Sequence, residues 1–225
     1  MFVGHYGVAF IAKAKAKELP LWQLFIAVQL VDVVWGVLVL LGIERARIVP
    51  GITKSMPLDL YYMPYTHSLI AAFLWSALAF VAYRLFRPSG TRAAALVLGI
   101  AVLSHWVLDL LVHRPDLPLW DDMDKVGLGL WNYPLAAFLV EGSLLVAGLL
   151  LYLRSSLAAS PAGRYSGSLF VLVLLITQAF VVTVQPLPSI TFAALLFLVS
   201  YVGLAATAYR VELTRRLKSP PPLTH

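Results

Sequence analysis

Runs of apolar residues, most of them long enough to cross a bilayer as helices, alternate along this chain with short polar stretches. The first run, Met1 to Lys17, is short and closes on Lys13, Lys15 and Lys17. It has neither a basic start nor a small-residue cleavage motif, so it does not read as a signal peptide. As a helix it would reach about 26 Å. The second runs from about Leu19 to Gly42, with Pro20 placed for a first helical turn. The third, Thr66 to Phe86, ends at Pro88-Ser89-Gly90, and the fourth, Ala93 to His113, ends before Pro115. The fifth spans Leu130 to Leu153 and the sixth Ser168 to Gln185, where Pro186 and Pro188 predict a tight turn. The seventh spans Ile190 to Arg210. The pattern predicts an all-α fold, a polytopic transmembrane helical bundle. Six full spans plus a short N-terminal membrane helix make seven in total, in a single integral-membrane domain over residues 1–212. Residues 213–225, with Lys218 and Pro220 to Pro222, are expected to form a disordered tail.

Composition narrows the class. Of 225 residues, 60% are hydrophobic and 12% are charged, against about 25% charged in an average soluble domain. This excludes a soluble globular enzyme, a disordered chain and a nucleic-acid-binding domain. The net charge of +6 then reads as orientation. Twelve of the 17 basic residues, including Lys13, Arg87, Arg154 and Arg215, fall on one side of the bundle. That side, with the C-terminus, is expected to be cytoplasmic. Acids gather on the other side, together with Tyr61, Tyr62, Tyr65, Trp120, Trp131 and Tyr133, which read as an interfacial aromatic belt. There is no cysteine, so any transition-metal site must use His, Asp and Glu.

A charge inside the bilayer costs roughly 2.5–3.5 kcal/mol even on the lenient insertion scale, so polar residues within the spans are functional candidates. The acids there are Asp32, Asp109 and Glu141; four histidines lie in or beside spans, His5, His67, His105 and His113. His225 ends the chain and carries no argument. His105 and Asp109, four apart, share one helix face, and His113 extends the row by a turn. Such a pair offers two ligands for a divalent metal; a buried His–Asp hydrogen bond that joins helices is an equal alternative. Asp32 reads as a ligand, an interhelical hydrogen bond or a proton-relay group, and His67 as a ligand or as an ordinary His at a helix start. His5 follows Gly4, a small residue that permits close helix packing. Depth along the helices brings these residues to the middle-to-outer membrane layer. Glu141, at mid-depth, is a candidate general base or partner of a buried His. Arg114 reads as a solvated helix-end charge, with an anion clamp as the alternative.

Gly4-His5, an Asp in the next span, Thr66-His67-Ser68 and Ser104-His105-(x)3-Asp109 occur in an order that resembles the membrane-bound metal-dependent hydrolases. That family is typified by a DNA-damage-regulated bacterial inner-membrane protein and is remotely similar to the zinc-dependent phospholipases C. The resemblance covers the chain to about His113. It implies location in the bacterial inner membrane, a divalent metal held by His5, Asp32, His67, His105 and Asp109, and hydrolysis of a lipid-linked phosphoester or similar bond. Asp109 or Glu141 would then be the general base, and zinc the default metal for such an N/O donor set. The family's Asp-x-Asp-His is Asp32-Val33-Val34-Trp35 here, and its His-Arg-Gly is Met63-Pro64-Tyr65. These departures favour one metal, or a non-catalytic relative, over a multinuclear site. Two further readings of the same residues are a proton- or cation-coupled transporter and a non-catalytic scaffold.

Overall fold

The structure, a computed structural model, describes residues 1–183 and 187–218. Among the described residues the apolar runs fold into eight α-helices: α1 (Val3–Lys15), α2 (Leu21–Val28), α3 (Leu30–Leu40), α4 (Leu69–Phe86), α5 (Arg92–Val112), α6 (Pro134–Ser155), α7 (Ser166–Thr183) and α8 (Ile190–Leu213). Helices α4 to α8 are each long and apolar enough to cross a membrane. Their starts follow from local chemistry. Ser68, Thr91 and Ser189 are extended and accept a bond from the backbone N–H three residues on, an N-cap that satisfies a donor the helix leaves free.

The second apolar run departs from the expected continuous helix. It breaks at Gln29 into α2 and α3, whose axes differ by 53°. No Pro or Gly stands at the break; Gln29 itself, at φ −114° and ψ 8°, leaves the helical path. As one bent span, the pair brings the number of crossings to six.

The short α1 lies inside the bundle. Val3, His5, Ala9 and Phe10 are wholly buried, and α1 packs against α2, α5 and α6. Gly7 and Gly148 let α1 and α6 meet backbone to backbone. A Cβ at Gly7 would stand 2.5 Å from the Leu144 carbonyl oxygen, and one at Gly148 would overlap the Gly7 carbonyl. Tyr6 stacks on Phe25 at 4.6 Å and Phe10 meets Phe25 edge-on at 5.3 Å. This aromatic cluster joins α1 to α2 and, through Phe170, to α7. By contrast α4 packs on α5 and turns Phe73, Leu74, Leu78 and Val81 outward, as a lipid-facing helix does.

One end carries an antiparallel hairpin of β1 (Arg45–Ile48) and β2 (Leu58–Tyr62), with Arg47 opposite Asp59 and a bulge between Arg45 and Arg47. Leu58, Leu60, Met63 and Leu117 pack beneath it onto Trp35. The opposite, basic end is tied by buried Lys13, which donates to the Leu19 carbonyl at 2.7 Å and pairs with Glu212 at 2.5 Å. There the tail differs from expectation. Arg215–Leu217 forms β4 and pairs antiparallel with β3 (Ser156–Ala158). The Arg215 guanidinium donates to Ser156 Oγ at 2.9 Å and to the Gly163 carbonyl at 2.5 Å, contacts that order this stretch. The rest of the expected tail, residues 219–225 with His225, and the predicted turn at Gln185 and Pro186 lie outside the described residues.

Candidate metal centre

Four elements converge toward the hairpin end. Helix α1 carries His5, and α3 presents Asp32 just after the break. His67 immediately precedes the Ser68 cap of α4, and α5 carries His105 and Asp109 one turn apart. His105 Nε2 lies 3.1 Å from Asp109 Oδ2 and 3.5 Å from Asp32 Oδ1. His67 Nε2 lies 3.3 Å from Asp32 Oδ1 and 3.8 Å from Asp109 Oδ2. His5 Nε2 is 3.2 Å from Asp109 Oδ1, and its ring stacks on that of His105 at 4.0 Å. The ligand atoms form two groups, His5–His105–Asp109 and Asp32–His67–His105, each within 4.8 Å.

These separations suit an ion. Tetrahedral N and O ligands about 2.0–2.2 Å from a metal stand roughly 3.3–3.6 Å from one another. The histidines are also aimed. His105 Nδ1 is 2.7 Å from the Val28 carbonyl oxygen, which the helix break frees. If Nδ1 donates there, the lone pair is on Nε2, a buried atom with no hydrogen-bond partner. His67 Nδ1 is 2.8 Å from Thr66 Oγ1, which in turn donates to Glu44 Oε2 at 2.6 Å. Glu44 Oε1 accepts the N–H groups of Tyr65 and Thr66 at 2.8 and 3.0 Å. Burial pushes the Glu44 carboxyl up from its ordinary range, against the pull of His67 and these donors. Such partners fix ring orientation and tautomer at metal sites.

His113, seen in sequence as the next step of the His105–Asp109 row but left out of the ligand set, belongs to the same cluster. Its Nε2 lies 3.5 Å from Asp109 Oδ2, and its Nδ1 lies 2.9 Å from Asp116. Arg114 bonds Asp116 at 3.1 Å and pairs with Asp59, which bonds Arg47 at 2.7 Å. Arg114 is therefore engaged in a network of ion pairs instead of facing solvent alone. Trp131 departs from the interfacial belt: it is buried, its ring 4.3 Å from that of His113. Tyr61, Tyr65, Trp120 and Tyr133 are exposed.

Glu141 stands apart from the two ligand groups. Its Oε2 accepts the N–H groups of Phe2 and Gly4 at 2.7 and 3.3 Å, holding the start of α1, while Oε1 is buried without a partner. The α-amine of Met1 pairs with Asp109 Oδ1. Sequence reasoning also missed Tyr201, whose hydroxyl donates to Asp32 Oδ2 at 2.8 Å. No signal singled it out, since the same span carries Thr191, Ser200, Thr207 and a second phenol, Tyr209. A cavity of about 230 Å³ adjoins the cluster, lined by Asp32, His67, Asp109 and His113, by the hydroxyl-bearing Thr177, Ser200 and Tyr201, and by apolar side chains around the rest. Comparison with family models, curated proteins and solved structures finds no match to this chain.

Proposed function

We propose that the protein is an integral-membrane metal-dependent hydrolase that acts on a lipid-linked phosphoester or a similar bond. The observation that carries this reading is the convergence of three imidazoles and two carboxylates from four elements within a helical membrane bundle, with the far nitrogens of His67 and His105 already held. Burying so many ionisable groups is costly in a bilayer, and a cation is the partner that offsets it. The order of the same motifs resembles that of the membrane-bound metal-dependent hydrolases, which points the same way.

Asp32, His67, His105 and Asp109 would hold the ion, with His5 as a further ligand or as the ring that supports His105. Zinc is the default ion for such an N/O set, with Mn²⁺ and Fe²⁺ as alternatives. When bound, a divalent ion supplies Lewis acidity and eases deprotonation of water. The chain's own groups do the rest. Asp109, which borders the cavity, takes the proton of the attacking water and returns it to the leaving oxygen. Glu141 was the other candidate base. It lies outside the cavity lining, so Asp109, which borders the cavity, is preferred. Tyr201 holds Asp32 from the cavity side, and the apolar lining limits bulk water.

The substrate is a membrane lipid, the bilayer is the working partner, and no nucleic acid is involved. The basic end, with the C-terminus, faces the cytoplasm of a bacterial inner membrane, and α1 with the bent α2–α3 pair completes a seven-segment bundle. Metal analysis of protein purified without chelator tests the reading. We expect bound divalent metal, lost in a His105→Ala/Asp109→Ala double variant. A wild-type protein with no metal would sink the hydrolase.

A further inference from the structure

We propose that the cavity beside the ligand cluster accepts an acyl chain of a bilayer lipid, which reaches the cluster sideways between α7 and α8. The proposal rests on reading the site as one that faces a membrane lipid, and adds the route and the part of the lipid that is held.

The cavity joins the ionisable cluster of Asp32, His67, Asp109 and His113 to a mostly apolar lining that also carries the hydroxyls of Thr177, Ser200 and Tyr201, a composition that suits an amphiphile. Toward the hairpin end it is roofed by Leu58 and Leu60, both about 5% exposed, which pack with Met63 and Leu117 onto Trp35. Water on that side meets an apolar lid. The side wall is different. Thr177 and Val181 of α7 and Leu196 and Ser200 of α8 line the cavity. Thr177 is exposed, and Leu196 is 43% exposed, on the outer surface of helices long and apolar enough to cross a membrane. Val199 and Phe180 beside them are 71% and 65% exposed. The cavity thus communicates with the surface that hydrocarbon covers.

Charge and size select the occupant. Among the described residues no Lys or Arg lines the cavity, and its lining away from Asp32, His67, Asp109 and His113 is largely apolar. A single extended acyl chain, far narrower than a helix about 10–12 Å across with its side chains, is the apolar membrane component that can enter between two packed helices, with its polar end left at Asp32, His67 and Asp109.

The test uses the full chain in liposomes of phosphatidylcholine that carries a photoactivatable diazirine in one acyl chain, with the labelled sites mapped by mass spectrometry. We expect label on the roof segment Met56–Leu60, besides the outer faces of the spans. In a Thr177→Trp/Ser200→Trp variant, whose indoles plug the gap, roof labelling should fall at least tenfold while labelling of α4 and metal content stay unchanged. Metal content reports folding; should that variant lose it, Val181→Trp places one ring in the same gap. Roof labelling that never occurs, or that persists in the plugged protein, overturns the proposal. Because the readout is not turnover, a protein that labels in this way but hydrolyses nothing sinks the hydrolase reading and leaves the lipid route standing.

Discussion

His105 has a single nitrogen to give. Its Nδ1 is committed to the Val28 carbonyl, so Nε2 can serve one ion, although both candidate ligand groups include it. The two groups are therefore alternatives that share a ligand, or halves of one centre. His105→Ala should remove the common ligand and abolish stoichiometric metal, as read by elemental analysis of the purified protein. Thr66→Val keeps the shape but cuts the link from Glu44 to His67. The expected loss is about 10–100-fold in metal affinity, measured by competition with a chelator, with little change in helix content. The five residues that cluster could be picked out in the sequence because each is a rare polar residue in or beside an apolar run. Their partners were not. Glu44 looks like any loop acid, Asp116 like any helix-end charge, and a backbone carbonyl such as that of Val28 has no sequence signature. His113 shows the limit from the other direction: its place in the i, i+4 row was visible, but only the fold shows Asp116 aiming it at Asp109.

Among the elements, the helices were legible from length and hydrophobicity, and their ends from Ser, Thr and Pro. The break between α2 and α3 was not, because its composition is that of a continuous span. It coincides with a tertiary contact: His105 on α5 meets the Val28 carbonyl at the break. Half-helices that present backbone groups to an ion site are a recurrent membrane device, and here the backbone acts one step back, on the ligand. The contact of α1 with α6 depends on the absence of side chains. Gly7→Val should force the two backbones apart, costing about 1–3 kcal/mol or more. It should lower the thermal unfolding midpoint and, by moving His5, weaken metal binding. If Gly7→Val unfolds at the wild-type temperature, the close approach does not carry the packing.

The whole molecule divides into a basic end tied by Lys13, Glu212 and the β3–β4 pair, and an end roofed by the hairpin and the Arg114 network. Charge bias predicts that these ends face opposite compartments. The cysteine-free sequence allows a clean check with single exposed cysteines. In intact cells Lys54→Cys should react with an impermeant maleimide and Ser160→Cys should not; the reverse pattern would invert the orientation. The central place of α1 also has a consequence for biogenesis. Glu141, which holds its start, is 137 residues further along the chain than Gly4. During synthesis His5 and the start of α1 have no partner for their polar groups until Asp109 of α5 and Glu141 of α6 have emerged. Burial of α1 then completes only after α6 is made, so the site closes late in assembly. Truncation before α6 should then leave α1 open to protease even though it was made first.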